Sequence, residues 1–274
     1  MISIREVSKR YPGQVRAVDR LSLEVSAGET LVLLGASGSG KTTTLKMINR
    51  LIEPSEGQIL VAGEDTARLD PVQLRRRIGY VFQGVGLFPH WRVADNVAAV
   101  PRLLAWPEER IRARVDTLLT SVGLPADEYR ERWPSELSGG QRQRVGVARA
   151  LAAEAKILLM DEPFGAVDPV TRDGLQRELV AVRELLGLTV VLVTHDVTEA
   201  LLLADRIAVM DEGRLVQVGR PAELYARPKS GVVERLLDMP RRQTDRLQAI
   251  VHPRDPEAGR TTETGTGGSD EVLS

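Results

Sequence analysis

The stretch Gly35-Ala36-Ser37-Gly38-Ser39-Gly40-Lys41-Thr42 follows the pattern G-x-x-x-x-G-K-[ST] and comes directly after the apolar run Leu31-Val32-Leu33-Leu34. Between a strand and a helix, such glycines let successive backbone N–H groups converge on phosphate oxygens. Lys41 brings positive charge to the outer phosphates, and the Thr42 hydroxyl can ligate Mg²⁺ at the helix N-terminus. The run Thr43-Thr44-Leu45-Lys46-Met47-Ile48 supplies that helix, with Thr43 at its start among the phosphate-binding set. The chemistry implied is capture of a nucleotide's phosphate chain.

A second apolar run, Ile157-Leu158-Leu159-Met160, ends in Asp161 and Glu162. Asp161, last on the strand, can lie beside the phosphate loop and hold Mg²⁺ through water, while Glu162 projects further and can polarise an attacking water. Alone, two carboxylates can merely end a strand; next to a phosphate loop they form a hydrolytic pair. Between these elements lies Leu137-Ser138-Gly139-Gly140-Gln141, ahead of a helical run to Leu151. Ser138 and the glycines put a hydroxyl and open N–H groups at a helix start, a receptor for a γ-phosphate, although a plain capped helix would look the same.

The elements that must position these residues are legible in outline. With 274 residues and 42% hydrophobic content, the chain can form one large α/β unit with a tail. The continuous runs 31–34, 157–160 and 190–193 read as central strands of a parallel sheet covered on both faces. Shorter β-rich segments, Ile2 to Val7, Leu21 to Val25 and Gly57 to Gly63, suggest a separate antiparallel part. From about 89 to 155 strand-like runs are scarce, and Glu108 to Leu119 is helical in pattern, so this middle reads as an inserted α-helical subdomain. Its basic residues suit either a solvated helix face or a partner contact. Ile207-Ala208-Val209-Met210 and Arg214 to Val218 flank Asp211-Glu212-Gly213 as a hairpin. From 240 to 274 the composition turns polar, and a disordered tail is expected.

Thirty-seven basic against 38 acidic residues leave a net charge of −1, without the electrostatic footprint of a nucleic-acid binder. The absence of cysteine excludes disulfides, thiolate metal sites and cysteine nucleophiles, and three histidines are too few for a typical histidine cluster. The N-terminus has no basic start followed by an apolar core, and no apolar run approaches the roughly 18 residues of a membrane span. Any membrane role is therefore expected to come through a partner.

With phosphate loop, Leu-Ser-Gly-Gly-Gln and Asp-Glu strand in this order, the chain resembles the nucleotide-binding subunits of ATP-binding-cassette (ABC) transporters over about residues 1–239. The resemblance implies an α/β P-loop NTPase of the ABC type: a mixed central sheet with an antiparallel β subdomain and an inserted helical one. It matches Tyr11 to the aromatic that stacks on adenine, a position an ordinary strand-edge tyrosine could also fill. Gln83 matches the glutamine that senses Mg²⁺ and the attacking water, and His195 the switch histidine at the γ-phosphate. Asp168, in Gly165-Ala166-Val167-Asp168, matches the residue that communicates across a dimer; Val167 stands where leucine is common.

The implied cofactors are ATP and Mg²⁺. The nucleotide set is Tyr11, residues 35–43, Ser138, Gly139, Gly140, Gln141 and Asp168; the metal set is Thr42, Gln83 and Asp161; the catalytic set is Lys41, Gln83, Glu162 and His195. The implied partners are a second copy of the chain, closing ATP between phosphate loop and signature, transmembrane permease subunits, and indirectly an extracytoplasmic solute-binding protein, with no nucleic acid. The implied location is the cytoplasmic face of a membrane. Gly86-Leu87-Phe88-Pro89-His90-Trp91 lies where the family docks the permease, or else packs inside the helical subdomain. The stretch from Gly86 through Asn96-Val97, with 160–172, looks most like the subunits that power glycine betaine, choline and carnitine importers. Importers of an amino acid or a sulfonate, or a soluble non-transport ABC protein, remain alternatives. About 35 residues after Pro240 leave no room for the paired regulatory modules of longer relatives.

Overall fold

The computed structural model describes residues 1–251 apart from 14, 15, 85 and 166. In chain order the elements are β1 (Ile2–Arg10), β2 (Arg16–Val25), β3 (Thr30–Leu34), α1 (Lys41–Ile48), β4 (Glu56–Val61), β5 (Glu64–Asp65), α2 (Pro71–Arg76) and β6 (Ile78–Val81). There follow α3 (Val93–Leu103), α4 (Glu108–Ser121), α5 (Ala126–Tyr129) and α6 (Gly139–Leu151). The last part is β7 (Ile157–Asp161), α7 (Pro169–Leu186), β8 (Thr189–Thr194), α8 (Val197–Leu203), β9 (Arg206–Asp211), β10 (Arg214–Gly219), α9 (Pro221–Ala226) and α10 (Gly231–Val251).

The strands form two sheets. Antiparallel pairing joins β2-β1-β4-β5, and a mixed sheet runs β10-β9-β3-β8-β7-β6, parallel from β9 to β6 with β10 antiparallel at the edge. Every residue of β3, β7 and β8 is buried. Side chains alternate across a strand, so an uninterrupted apolar run feeds two cores. Leu31 and Leu33 pack with α1 and the antiparallel sheet; Val32 and Leu34 pack with α3 to α8 on the other face. Parallel β3, β7 and β8 therefore deliver their C-terminal ends, and the loops that follow them, to one edge of the sheet.

Helices α3 to α6 fill the interval between β6 and β7. The sequence reading treats 80–83 only as the carrier of Gln83, yet 78–81 is the edge strand paired to β7. A run this short has no period to read, and its partner is remote in the chain. The hairpin turn at Glu212 and Gly213 has positive φ at both central residues, 45° and 79°, the conformation whose twist matches the flanking strands.

Met1–Leu237 form one compact unit, and the described residues from Asp238 to Val251 belong to another. The expectation of a disordered tail from 240 needs correction, because α10 continues through Pro240 to Val251. Val233 and Leu237 are buried and start the helix, after which each added residue extends it without a new nucleation cost. The rest of the expected tail, 252–274, lies outside the described residues. Among the described residues no helix is long and apolar enough to cross a membrane.

Candidate functional site

The loop from 35 to 40 leads from β3 into α1. Two of its glycines answer a close approach rather than flexibility alone. A Cβ on Gly35 would collide with the Met210 carbonyl, and one on Gly40, where φ is +97°, with the Ala17 carbonyl. The loop's floor is the β9–β10 turn, whose Gly213 N–H donates to the Ser39 carbonyl at 3.2 Å and whose Gly213 carbonyl accepts from Asp19 N at 2.9 Å.

Lys41 is 5% exposed, and its ammonium donates to the carbonyls of Gly35 and Ala36 at 2.7 Å each and to Ser39 Oγ at 3.4 Å. Burial lowers its pKa, countered by Glu162 and Asp161. The first residues of α1 carry no acidic group, so its N-terminus is open to an anion. Thr42 Oγ1 donates to Asp161 Oδ1 at 2.8 Å, which brings loop and β7 together as the sequence implied. Burial raises the Asp161 carboxyl above its ordinary range, and the Thr42 hydrogen bond opposes that rise.

Glu162 follows β7 with φ of +46°, a strained conformation for a non-glycine residue. Its Oε2 accepts from Gln83 Nε2 at 3.2 Å and its Oε1 lies 3.1 Å from His195 Nδ1. The Glu162 N–H is held by the Val193 carbonyl, two residues before His195. Three of the four predicted catalytic side chains, Gln83, Glu162 and His195, thus meet at the C-terminal edge of β6, β7 and β8, while Lys41 bonds its own loop. The three line, with Gly139, Arg142 and Gly165, a groove of about 360 Å³.

Ser138 caps α6: its Oγ accepts from Gln141 N at 3.2 Å, while Gln141 Oε1 accepts from Ser138 N at 2.9 Å. Gly140 permits α6 to approach Thr171 on α7, since a Cβ there would strike the threonine methyl. Asp168 caps α7 by accepting from Thr171 N at 3.0 Å, a bond that holds its carboxyl below the usual range. Tyr11 stands past β1, 37% exposed, with the Lys9 ammonium 5.4 Å from its ring centroid. Ser138 and Tyr11 make no recorded hydrogen bond to the Glu162 cluster. Ala166, between Gly165 and Val167, lies outside the described residues.

Sequence reasoning missed the residues that hold the Gly86–Trp91 segment. Asn96, wholly buried, accepts from Phe88 N at 2.8 Å and donates to the carbonyls of Phe88, Trp91 and Arg92, each at 3.1 Å. Arg149 on α6 donates to the Gly86 carbonyl at 2.7 Å. Phe88 stays 41% exposed and packs against Trp91 in a tilted pair, centroids 4.5 Å apart. A lone asparagine in an apolar helix face was the one available signal.

Three comparisons bear on this arrangement. A family profile described as "ABC transporter" matches residues 18–165. The glycine betaine/carnitine/choline transport ATP-binding protein OpuCA of Bacillus subtilis is 52% identical over 237 residues, covering 86% of this chain and 62% of that protein. The glycine betaine uptake system ATP-binding protein YehX of Escherichia coli is 54% identical over 233 residues, covering 85% of this chain and 75% of that protein. The ATP-binding cassette MJ0796, solved as a dimer in a post-hydrolysis state with ADP and phosphate, superposes with a TM-score of 0.73 at 33% identity, covering 81% of this chain and 99% of that one. The profile takes in more than half of the chain and ends just past Glu162, and one relative is matched over three quarters of its own length; the chain belongs to the ABC transporter family.

Proposed function

We propose that this chain is the ATP-hydrolysing subunit of an ABC importer for glycine betaine, choline or carnitine. The observation that carries the hydrolytic part is the strained Glu162, bonded to Gln83 and His195 beside the Thr42–Asp161 pair. Glu162 is the base that polarises the attacking water. His195 and Lys41 meet the charge that develops on the γ-phosphate, and Lys41 exchanges its bonds to the Gly35 and Ala36 carbonyls for phosphate oxygens.

Thr42, Gln83 and Asp161 would hold Mg²⁺, which when bound neutralises charge on the phosphate oxygens. The residues fit that ion. Thr42 Oγ1 and Asp161 Oδ1, 2.8 Å apart, are the hard oxygen donors such an ion takes alongside water and substrate oxygens. Tyr11 is read as the adenine platform, and Ser138 to Gln141 as the receptor that closes on the ATP of a second copy. Asp168 is read as the contact between the two copies. Residues 1–239 are taken as the cassette, with 89–155 as its helical subdomain. Docking of Gly86–Trp91 on permease subunits places the protein at the cytoplasmic face of the membrane, with a solute-binding protein on the far side.

Support for the cargo comes from the transport functions for which relatives such as the B. subtilis and E. coli proteins are named. The test uses the Glu162→Gln protein with ATP to recover its complex from detergent-solubilised membranes. The expected result is a permease together with a binding protein loaded with betaine, choline or carnitine. A permease with another ligand would replace the cargo, and ribosomal or DNA-repair partners without a permease would overturn the transport reading.

A further inference from the structure

Arg172, one turn into α7, reaches two separate segments of the site. Its Nη2 donates to the Val167 carbonyl at 3.2 Å, next to Asp168. Its Nη1 lies 3.4 Å from Asp196 Oδ2 and 3.8 Å from Glu199 Oε1, both just after His195. Glu199 is 4% exposed, and its other oxygen accepts from Thr194 Oγ1 at 2.6 Å. The same Thr194 Oγ1 accepts from Asp196 N at 3.0 Å, and Asp196 caps α8 by accepting from the N–H groups of Thr198 and Glu199 at 2.8 and 3.2 Å. The residues on both sides of His195 are thereby locked, while its ring, 62% exposed, projects to Glu162.

Stability is a weak account of this arrangement: Glu199 is desolvated, and the Arg172 and Asp196 side chains are 29% and 34% exposed. A buried carboxylate and its guanidinium partner are in general no better for folding than apolar residues of the same shape. Arg172 Nε is also buried without a hydrogen-bond partner. What a planar, forked cation does here, and a hydrophobic residue could not, is bond a backbone carbonyl on one segment and the Asp196 carboxylate on another at once, with the Glu199 carboxylate at ion-pair distance.

We infer that Arg172 is a positioning residue that ties the segment at Val167 and Asp168 to the His195 segment, setting where the His195 ring stands against Glu162. This rests on the hydrolytic reading above. Movement of the 167–168 segment would be transmitted to the imidazole through one side chain.

The experiment compares the full chain with Arg172→Lys and with the double variant Arg172→Gln/Glu199→Gln, which leaves no charge buried without a partner. Steady-state ATP hydrolysis and the His195 imidazole resonances of the nucleotide-free protein are both recorded. In the double variant the expected result is kcat down about tenfold or more, as a misplaced catalytic group gives, with KM for ATP within about twofold and shifted His195 resonances. Arg172→Lys should recover part of kcat. Wild-type kcat with unmoved His195 resonances in the double variant would overturn the inference. So would a loss of kcat matched by loss of nucleotide affinity and melting temperature, which marks a merely structural role. A parent protein that binds but does not hydrolyse ATP would sink the hydrolytic reading instead, while the resonances still report on the positioning.

Discussion

At the scale of single residues, the site sets buried Lys41 and Asp161 beside the exposed ring of His195. Lys41 spends its ammonium bonds on its own loop, so Lys41→Ala removes the group that would turn to the phosphates. Charge-assisted bonds are worth about 1.5–3 kcal/mol, so nucleotide affinity measured by titration calorimetry should fall roughly ten- to hundredfold. Glu162→Gln keeps shape but loses basicity; turnover should drop about 10²–10⁴-fold while ATP still binds, and near-normal turnover would remove Glu162 from its role. Glu199 offers a pH test. Burial, assisted by Asp196, raises its pKa above 4.5, against Thr194, Arg172 and His195, which lower it. The folded state therefore holds this proton more tightly than the unfolded chain. The stability so gained is complete below pH 4.5 and is lost as pH rises through the folded pKa. Glu199→Gln, which cannot titrate, should gain melting temperature relative to the parent as pH is raised across that window; parallel curves would show that the carboxylate is not penalised.

At the scale of elements, the start of α6 carries two jobs on one side chain. Ser138 both caps the helix and is proposed to receive a phosphate from a second copy. The two separate by substitution. Ser138→Ala should cost about 1 kcal/mol in denaturant unfolding through loss of the cap. Ser138→Asp should hold the cap and the melting temperature but place a negative charge against the phosphate, abolishing ATP-driven association and turnover. Retained turnover in the aspartate variant would assign Ser138 to capping alone. The phosphate loop shows the complementary lesson: Gly35 serves contact with Met210 on β9 and Gly40 contact with Ala17, so the loop's form belongs to its neighbours as well as to its own sequence.

At the scale of the whole molecule, one chain contains one phosphate loop and one signature, and Ser138 makes no recorded hydrogen bond to the Glu162 cluster of its own chain. Completion by a second copy is therefore proposed. The hydrolysis-impaired Glu162→Gln variant should sediment as a dimer with ATP and as a monomer without it. A strictly monomeric ATP-bound state would count heavily against composite sites.

The sequence by itself determined what is local. A phosphate loop is a backbone conformation written in its glycines, α6 begins where Ser138 and Gln141 can cap each other, and the runs at 31–34, 157–161 and 190–193 are buried because strands covered on both faces need no alternation. The tertiary structure alone decided which distant residues meet. Glu162 touches Gln83 from 79 positions away and His195 from 33 away because β6, β7 and β8 lie side by side. The same holds for the Met210 carbonyl beneath Gly35, for Asn96 under the aromatic segment, and for the reach of Arg172 to Glu199. Strand order and helix packing emerge from the burial of two whole cores, and no window of sequence short enough to read contains them.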